Sequence, residues 1–470
     1  MITRDHDALW SAPFAPTHPL AASLSIPGSK SIMARALILA ALSDAPTVIK
    51  NPLISRDSEL MRDGLRALGV RIEESPKQWR VIPASMTIPA ESSTHTDHEK
   101  LAITTLTSID VGNAGTVMRF LPAVAGQSRG AFSFDGDSRS HERPLAPLIK
   151  ALEHLGVRIE HDGRYALPLT IHGAGPLEGG EIEIDASLSS QFVSSLLLAG
   201  SAMRHGLVIR DIGKSLPSLP HIEMTISMLI AQGIEVESGI DENGSGRRYW
   251  KVAPRHRDVS SVESTIEIEP DLSNAAPFLA AALLVGGEVA IKNWPARTTQ
   301  PGDSLRRIFT TMGATFREDG TSLVISASGE RSGIKGIDID LSNEGELTPT
   351  IAAVAAFASS PSHLRGIGHL RLHETDRLSA LATELRKVGA TVVEGPGDLH
   401  ITPGDRLPSG PITISTYDDH RIATLGALVG LMIPGTQVEN IATTRKTITD
   451  FPALWNQLLS PTEEIDGRSS

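Results

Sequence analysis

The hydrophobic positions of this chain are concentrated in Ala- and Leu-rich runs, and six of these runs begin directly behind a short polar or charged cluster. An apolar run that starts behind polar residues is typical of a buried helix with a capped first turn. The chain therefore predicts six related helices. The six clusters are Lys30-Ser31, Asn113-Ala114-Gly115-Thr116, Ser189-Ser190-Gln191, Asp271-Leu272-Ser273-Asn274, Glu344-Gly345-Glu346 and Asp419-His420-Arg421.

A second helix follows in five of the repeats and ends at a glycine, which is a common C-cap. These glycines are Gly69, Gly156, Gly233, Gly313 and Gly389. Both sets of features recur at intervals of 73 to 87 residues, and such periodicity outranks local propensity as evidence for architecture. The pattern predicts an α/β fold with a pseudo-sixfold internal repeat of strand, polar loop, helix, glycine and strand.

The chain of 470 residues exceeds what one hydrophobic core usually holds. We therefore expect two similar domains of three repeats each, residues 28–262 and residues 1–27 together with 263–470. The sixth repeat is truncated, so an N-terminal strand, Leu20 to Ile26, is predicted to complete it. Two stretches depart from the repeat: 76–109, predicted to be a surface insertion, and 238–264, which runs into the link between domains.

Composition narrows the class of protein. Hydrophobic residues make up 40% of the chain and charged residues 21%, and no apolar stretch approaches the length of a membrane span. A net charge of −12 argues against a nucleic-acid or anionic-membrane surface. The absence of cysteine excludes disulfides and thiolate sites. Together with a start that does not resemble a signal peptide, these features lead us to expect a cytoplasmic protein.

Helix starts of this kind attract anions, because unpaired N–H groups and a partial positive charge lie there. The alternative is that the polar residues are ordinary N-caps. Lys30 and Arg421 do not fit that alternative, since a cation at a helix N-terminus is unfavourable unless an anion lies between them. Further cations recur in the strand-to-helix loops and predict a crevice for carboxylate or phosphate. They are Arg56, Arg139, Arg143, Lys214, Arg297, Arg377 and Lys446.

Other templates of chemistry are absent or weak. The sequence contains no phosphate-loop pattern and no G-x-S-x-G nucleophile elbow. His369 and His373 have the spacing of two metal ligands on a helix. Gly366 and Gly368 place them in a loop instead, which disfavours metal binding.

Several motifs resemble the 5-enolpyruvylshikimate-3-phosphate synthase family. They occur in the expected order over essentially the whole chain: Pro27-Gly28-Ser29-Lys30-Ser31 with Arg35, Gly112-Asn113-Ala114-Gly115-Thr116 with Arg119, Glu374-Thr375-Asp376-Arg377-Leu378, Asp419-His420-Arg421 and the region of Lys446. The resemblance implies the enolpyruvyl transferase fold, an inside-out α/β barrel of two domains with three βαβαββ units each. It also implies a site between domains that close on substrate.

The same resemblance implies a reaction and its partners. Members of the family transfer the enolpyruvyl group of phosphoenolpyruvate to the 5-hydroxyl of shikimate 3-phosphate and release phosphate, through a tetrahedral intermediate. They use no metal and no organic cofactor. We therefore expect two small-molecule substrates, no nucleic-acid or membrane partner, and a monomer.

Site residues are carried over by matching positions. The implied catalytic residues are Lys30, Glu346 and Glu374. Phosphoenolpyruvate is expected to contact Lys30, Asn113, Gly115, Arg139, Gln191, Arg377, Arg421 and Lys446. Shikimate 3-phosphate is expected to contact Lys30, Ser31, Arg35, Ser189, Ser190, Gln191, Ser218, Glu346 and His373.

Four positions depart from the pattern of well-known members: Glu346 replaces Asp, His221 replaces Tyr, His373 replaces Lys and Phe120 replaces Pro. The nearest alternative is the sister enzyme that acts on UDP-N-acetylglucosamine, which commonly uses a loop cysteine that this chain lacks. The remaining alternatives are a non-catalytic anion-binding protein and a repeat-built nucleic-acid clamp.

Overall fold

The structure is a computed structural model, and it describes residues 9–84, 106–241, 246–255 and 262–460. The chain divides into two compact units: the first unit is Gly28–Glu269, and the second unit is Met1–Pro27 with Pro270–Ser470. Most of the predicted insertion at 76–109, part of the stretch 238–264 and the polar tail lie outside the described residues.

The strands in chain order are β1 Leu9–Ser11, β2 Leu20–Leu24, β3 Thr47–Lys50, β4 Arg71–Glu74, β5 Gln78–Ile82, β6 Leu106–Asp110, β7 Arg129–Asp135, β8 Arg158–Glu160, β9 Leu169–Ala174, β10 Gly180–Ile184, β11 Leu207–Asp211, β12 Val236–Ile240, β13 Arg248–Val252, β14 Ser264–Glu267, β15 Gly287–Ile291, β16 Thr315–Asp319, β17 Ser322–Ala327, β18 Asp338–Asp340, β19 Ser362–Arg365, β20 Thr391–Glu394, β21 Leu399–Thr402, β22 Thr413–Ile414 and β23 Gln437–Glu439. The α-helices are α1 Lys30–Ala41, α2 Arg56–Ala67, α3 Gly115–Ala125, α4 Ala146–His154, α5 Gln191–Gly200, α6 Leu219–Ala231, α7 Leu272–Val285, α8 Leu305–Thr311, α9 Thr348–Ala356, α10 Arg377–Lys387, α11 His420–Met432 and α12 Phe451–Leu459. Short 3-10 helices lie at Ser138–Glu142, Pro301–Ser304, Arg331–Gly333, Gly345–Leu347, Gly368–Leu372 and Ile441–Lys446.

The second repeat shows the basic unit of the fold. Its elements β6, α3, β7, α4, β8 and β9 follow one another as βαβαββ, and its sheet has the order β6-β7-β9-β8. The first pair is parallel and the other two are antiparallel. A helix crossover links β6 to β7, whereas the loop 161–168 links β8 to β9 without a helix. The third and fifth repeats have the same order, which confirms the α/β class and the repeated architecture.

Three repeats borrow a strand from a distant part of the chain. β14 pairs in parallel with β3 in the sheet of the first repeat, so the first unit extends to Glu269 and beyond the predicted limit at 262. β2 pairs with β15 in the fourth repeat, and β1 pairs with β23 in the sixth. The expectation that Leu20 to Ile26 completes the sixth repeat is therefore wrong. The three-residue β1 does so, and it carries too little apolar patterning to stand out in the sequence.

The core of each unit is built on three helices that are buried on all sides. In the first unit α1, α3 and α5 pack against one another, and in the second unit α7, α9 and α11 do the same. Every residue of α3 and of α9 is buried, which is why apolar residues predominate along both helices. α2 instead buries one face, and the strands bury alternate residues.

The five glycines predicted to end helices all have positive φ, from 75° to 116°. Gly287 has the same backbone requirement together with a steric one. It has φ 100°, and a Cβ at this position would lie 2.1 Å from the carbonyl oxygen of Leu20. The parallel pairing of β15 with β2 therefore depends on the missing side chain.

We expect Gly287→Ala to lower the free energy of unfolding by about 2–5 kcal/mol, because backbone strain and overpacking add. Gly233→Ala is the matched control for strain alone, since φ is 75° and no atom lies within 4 Å of its Cβ position; it should cost about 1–2 kcal/mol. Gly410→Ala, which has an open Cβ position, should cost least. Urea denaturation would measure all three, and equal losses at 287 and 233 would contradict the steric argument.

Candidate active site

The buried helices of the first unit differ in how their N-termini are capped. The hydroxyl of Ser29 accepts a hydrogen bond from the N–H of Ile32 and so caps α1. The N-cap residues of α3 and α5 make no such bond, although the hydroxyl of Ser189 accepts from the N–H of Gln191. The ordinary N-cap alternative thus explains α1 but not the N-cap residues of α3 and α5. An anion is the other partner that such helix starts favour.

Lys30, the first residue of α1, is held by a carboxylate that the sequence did not single out. Its Nζ lies 3.4 Å from Oδ2 of Asp57, whose side chain is 4% exposed. This Oδ2 is buried and accepts no hydrogen bond among the described residues. A buried carboxylate is costly without a cation, so the pair holds an ammonium group where the helix dipole alone would repel it.

Arg35 is 1% exposed and ties three segments together. Its Nε donates to Oγ1 of Thr225 at 2.7 Å, and its Nη1 donates to the carbonyl oxygen of Ser31 at 2.9 Å. Its Nη2 donates to Oγ of Ser194 at 3.2 Å and to the carbonyl oxygen of His221 at 2.9 Å. These four hydrogen bonds join α1, α5 and α6 through one guanidinium group. All four acceptors are neutral, so none of them balances its positive charge.

Two buried guanidinium groups converge on Gly115, at the start of α3. A Cβ on this glycine would lie 2.6 Å from Nη2 of Arg143 and 3.1 Å from Nη1 of Arg119. Arg143 donates to both the carbonyl oxygen and Oδ1 of Asn113, at 2.9 and 3.0 Å. Arg119 donates to Oε1 of Gln191 at 2.9 Å. The structure thus brings Asn113, Gly115 and Gln191 together around two cations.

Arg139 has different surroundings. Its Nη1 forms an ion pair with Glu142, and the two side chains are 32% and 66% exposed. Arg143, four residues later, is 5% exposed and is the guanidinium beside Gly115. Both arginines were predicted from the sequence as loop cations, but the family resemblance assigned the substrate contact to Arg139.

Ser218 directly precedes α6 and has φ 57°. A residue other than glycine in this left-handed region costs about 1–2 kcal/mol. Such strain persists only where the surrounding structure holds it, and it is frequent at ligand sites. Three residues later, the carbonyl oxygen of His221 accepts from Arg35.

The first-unit cluster carries a surplus of positive charge. Four cations face one carboxylate among the residues described above, and three buried helices begin among them. This arrangement suits a ligand with several negative charges. The charged members are Lys30, Arg35, Arg119, Arg143 and Asp57.

The second unit holds a chain of alternating charges centred on Arg377, the first residue of α10. Arg377 is 2% exposed. Its Nε and Nη2 donate to the two carboxylate oxygens of Asp419 at 2.7 and 3.2 Å, and Nη2 also donates to Oε2 of Glu374 at 3.1 Å. Oε1 of Glu374 accepts from Nζ of Lys446 at 2.7 Å. The chain runs Asp419, Arg377, Glu374, Lys446.

This row of alternating charges keeps the fully buried guanidinium of Arg377 charged. Burial alone would lower the pKa of Arg377, but the charges of Asp419 and Glu374, with a contribution from Glu346, outweigh it and raise the pKa above its ordinary value. A bidentate carboxylate is the strongest partner for arginine. The guanidinium is therefore held charged and fixed in orientation before any ligand arrives.

The start of α7 is the second meeting point in this unit. Oγ of Ser273 donates to Oε1 of Glu346, in the 3-10 helix Gly345–Leu347. The carbonyl oxygen of Ser273 accepts from Nη1 of Arg421 at 2.7 Å. Asp271 caps this helix through the N–H of Asn274. Glu346 and Arg421 are therefore held on the same residue.

His373 accepts rather than donates at Nδ1. Nη1 of Arg377 lies 3.1 Å from this nitrogen, and an arginine N–H is always a donor. The contact is therefore a hydrogen bond only when Nδ1 of His373 carries no proton. Its ring meets that of His369 edge-on, with centroids 5.7 Å apart.

Glu384 is a charged residue without any exposed surface, and the sequence did not single it out. Its Oε1 accepts from the hydroxyl of Tyr417 at 2.7 Å and its Oε2 from the N–H of Ser415 at 3.2 Å. Tyr417 and Asp418 both have positive φ, 54° and 55°, directly before Asp419. Burial and the hydrogen bond to Glu384 raise the pKa of Tyr417, so its hydroxyl stays a donor.

One signal in the sequence points to Glu384. It lies on α10 between the buried Leu381 and Leu385, so its place on the apolar stripe indicates a buried partner. Asp57 gives no comparable signal, because acidic residues are common in a first helical turn.

The chain matches known proteins over nearly its whole length. The family model for EPSP synthase (3-phosphoshikimate 1-carboxyvinyltransferase) matches residues 14–455. A curated 3-phosphoshikimate 1-carboxyvinyltransferase from Kocuria rhizophila is 44% identical over 467 residues, which cover 97% of this chain and 98% of the relative. These matches confirm the resemblance drawn from the motifs.

Solved structures agree on the fold. EPSP synthase from Acinetobacter baumannii has a TM-score of 0.71 at 22% identity and covers 96% of this chain and 98% of its own. The enolpyruvyl transferase NikO from Streptomyces tendae has a TM-score of 0.68 at 16% identity, with 96% and 97% covered. Both support the enolpyruvyl transferase fold.

A search of the described residues finds no helix that is long and apolar enough to cross a membrane. With a family match over residues 14–455 and a relative at 44% identity along almost the entire length, the chain belongs to the EPSP synthase family of enolpyruvyl transferases.

Proposed function

We propose that this enzyme transfers the enolpyruvyl group of phosphoenolpyruvate to the 5-hydroxyl of shikimate 3-phosphate and releases phosphate. The observation that carries the proposal is the set of buried cations at helix starts in both units. The two substrates bring a carboxylate and a phosphate each, and such groups are bound best by arginine, lysine and helix N-termini together.

The proposed contacts of phosphoenolpyruvate follow the predicted set with one change. Arg143 replaces Arg139, because it is the buried guanidinium beside Gly115 whereas Arg139 is paired with Glu142 near the surface. The contacts in the first unit are then Lys30, Asn113, Gly115, Arg143 and Gln191. Those in the second unit are Arg377, Arg421 and Lys446.

Shikimate 3-phosphate is proposed to contact the serine-rich start of α5 and the carboxylate Glu346. The donors of Arg35 already serve protein oxygens, so we assign it a positioning role that orients Ser31. The remaining contacts are Lys30, Ser189, Ser190, Gln191, Ser218 and His373.

The chemistry is an addition followed by an elimination, with three proton transfers, one C–O bond formed at C2 and one C–O bond to phosphate broken there. Glu346 accepts the proton of the 5-hydroxyl as its oxygen attacks C2 of phosphoenolpyruvate, and C3 gains a proton from Lys30 or Glu374. In the resulting tetrahedral intermediate the C3 methyl group returns one proton to the group that protonated it as phosphate leaves C2, which restores the carbon–carbon double bond. The carboxylate of Glu374 is fixed in orientation, because Lys446 donates to one of its oxygens and Arg377 to the other.

The finer assignments of compartment and assembly are also proposals. We propose a cytoplasmic monomer, and the absence of cysteine supports a reducing compartment. Light scattering of the purified chain at the mass of 50.0 kDa would support the monomer, and twice that mass would overturn it.

We expect purified enzyme to release phosphate from phosphoenolpyruvate with shikimate 3-phosphate and not with UDP-N-acetylglucosamine. Lys30→Met should abolish release while binding of shikimate 3-phosphate persists, because the ammonium group acts in the chemical step. Release only with the nucleotide sugar would transfer the assignment to the sister enzyme. Release with neither, from folded protein, would favour a non-catalytic anion-binding protein.

Arg143→Gln is expected to lower kcat/KM for phosphoenolpyruvate at least about thirtyfold, since truncating a buried charge contact costs about 2–5 kcal/mol. Arg139→Gln is the matched control, four residues away and partly exposed. It should change kcat/KM less than about threefold, in line with a surface ion pair. The reverse ranking in steady-state kinetics would restore the original assignment to Arg139.

Glu384→Gln should impair Arg377 and Arg421 indirectly, because it weakens the hold on the strained turn before Asp419. We expect KM for phosphoenolpyruvate to rise about tenfold, equivalent to about 1.4 kcal/mol, with a smaller change in kcat. Tyr417→Phe should reproduce part of this effect. Lys387→Met removes the ion pair to Glu384 but leaves the bonds to Tyr417 and Ser415, so it should have little effect. An equally large effect from Lys387→Met would refute the positioning role.

A further inference from the structure

Two histidines face each other on neighbouring strands of the fifth repeat. His363 on β19 and His400 on β21 are direct cross-strand partners. Their rings are stacked, with centroids 3.6 Å apart and planes inclined by 17°. Asp398 lies just before β21. None of the three belongs to the proposed active site.

The donor atoms of these residues are close to the spacing of ligands around one ion. Oδ2 of Asp398 lies 2.9 Å from Nε2 of His363 and 3.5 Å from Nε2 of His400. One donor atom from each residue falls within 4.8 Å of the others. Around a tetrahedral zinc ion with bonds of about 2.0–2.2 Å, neighbouring ligand atoms are separated by roughly 3.3–3.5 Å.

We propose that His363, Asp398 and His400 form a binding site for one divalent transition-metal ion, with Zn²⁺ as the reference case. Sheet pairing fixes both histidine backbones, and rotation of the two imidazoles out of their stacked arrangement would direct both Nε2 atoms at one ion. Two imidazoles and one carboxylate suit zinc, nickel or copper, whereas magnesium and calcium prefer oxygen ligands. Water would fill the remaining position, and the ion takes no part in enolpyruvyl transfer.

An outer carboxylate lies near His363, just beyond hydrogen-bond distance. Oδ1 of Asp338 lies 4.0 Å from Nδ1 of His363, and Arg365 holds the same carboxylate through a 2.8 Å hydrogen bond. A histidine that binds a metal through Nε2 carries its proton on Nδ1 and usually offers it to such a group. Asp338 would therefore orient the first ligand.

The simpler interpretation is a hydrogen-bonded histidine and aspartate with no ion. Such single pairs occur elsewhere on this protein, for example His172 with Glu160 at 2.9 Å. The fifth repeat differs because two imidazoles, those of His363 and His400, lie near the same carboxylate oxygen of Asp398. A single hydrogen-bonded pair needs only one imidazole. The side chains of His363, Asp398 and His400 are 25%, 29% and 52% exposed, so an ion has access.

A bound ion would stabilise the turn 395–398, which contacts the 3-10 helix directly before His373. The carbonyl oxygen of Asp398 accepts from the N–H of Gly395. Within this turn the carbonyl oxygens of Gly395 and Pro396 accept from Nη2 and Nε of Arg371, at 2.7 and 3.1 Å. Arg371 lies in the 3-10 helix directly before His373. The ion would therefore join β19, β21 and this turn.

The test is calorimetric titration of untagged, chelator-treated full-length enzyme with ZnCl2. We expect one saturable site and a zinc-dependent rise in the midpoint of thermal unfolding, because ligand binds only the folded state. The double variant His363→Gln with His400→Gln should lose both effects and retain activity. Asp338→Asn should weaken binding about 10–100-fold. MgCl2 should not bind at this site.

His172→Gln is the matched control, since it removes a histidine from a single pair and should leave zinc binding unchanged. Circular dichroism would establish that the double variant is folded, and His400→Asn alone gives a milder second variant. The proposal is overturned if no saturable zinc, nickel or copper binding occurs. It is also overturned if binding persists unchanged in the folded double variant.

Discussion

Burial of three helices on all sides is the constraint on which each unit depends. A helix enclosed in this way has no solvent at its flanks, so most of its side chains are apolar, and buried exceptions such as Arg35 and Arg119 are hydrogen-bonded. At the start of such a helix the backbone N–H groups have no partner within the helix. Several residues of the proposed site lie at such helix starts, among them Lys30, Gly115, Gln191 and Arg421. The same packing that stabilises the core therefore also produces helix N-termini, which favour anions.

The charges at those ends are held in two different ways. In the first unit Arg35, Arg119 and Arg143 donate mainly to neutral oxygens, which leaves a positive surplus for a ligand to neutralise. In the second unit Arg377 is balanced by Asp419 and Glu374. A buried ion pair adds little net stability but is costly to break. We interpret the first arrangement as binding capacity and the second as preorganisation.

Sequence reasoning succeeded where the information is periodic. The helix runs and their glycine ends recur at a nearly constant interval, and each repeat can be recognised without knowing its partners in space. The motif resemblance added the family. Sequence reasoning failed for the borrowed strands. The pairing of β1 with β23 joins residues at opposite ends of the chain, and a three-residue strand has no periodicity to detect.

The sequence by itself determined the repeat, the α/β class, the family and most of the residues that bear charge. Only the tertiary structure decided which of these charges are buried and which residues hold them. Arg139 and Arg143 are indistinguishable as loop cations, and their difference arises from contacts with Gly115 and Glu142. Asp57 and Glu384 acquire their roles from partners on other elements. Burial and ion pairing are properties of three-dimensional neighbours, and one chain read in order does not contain them.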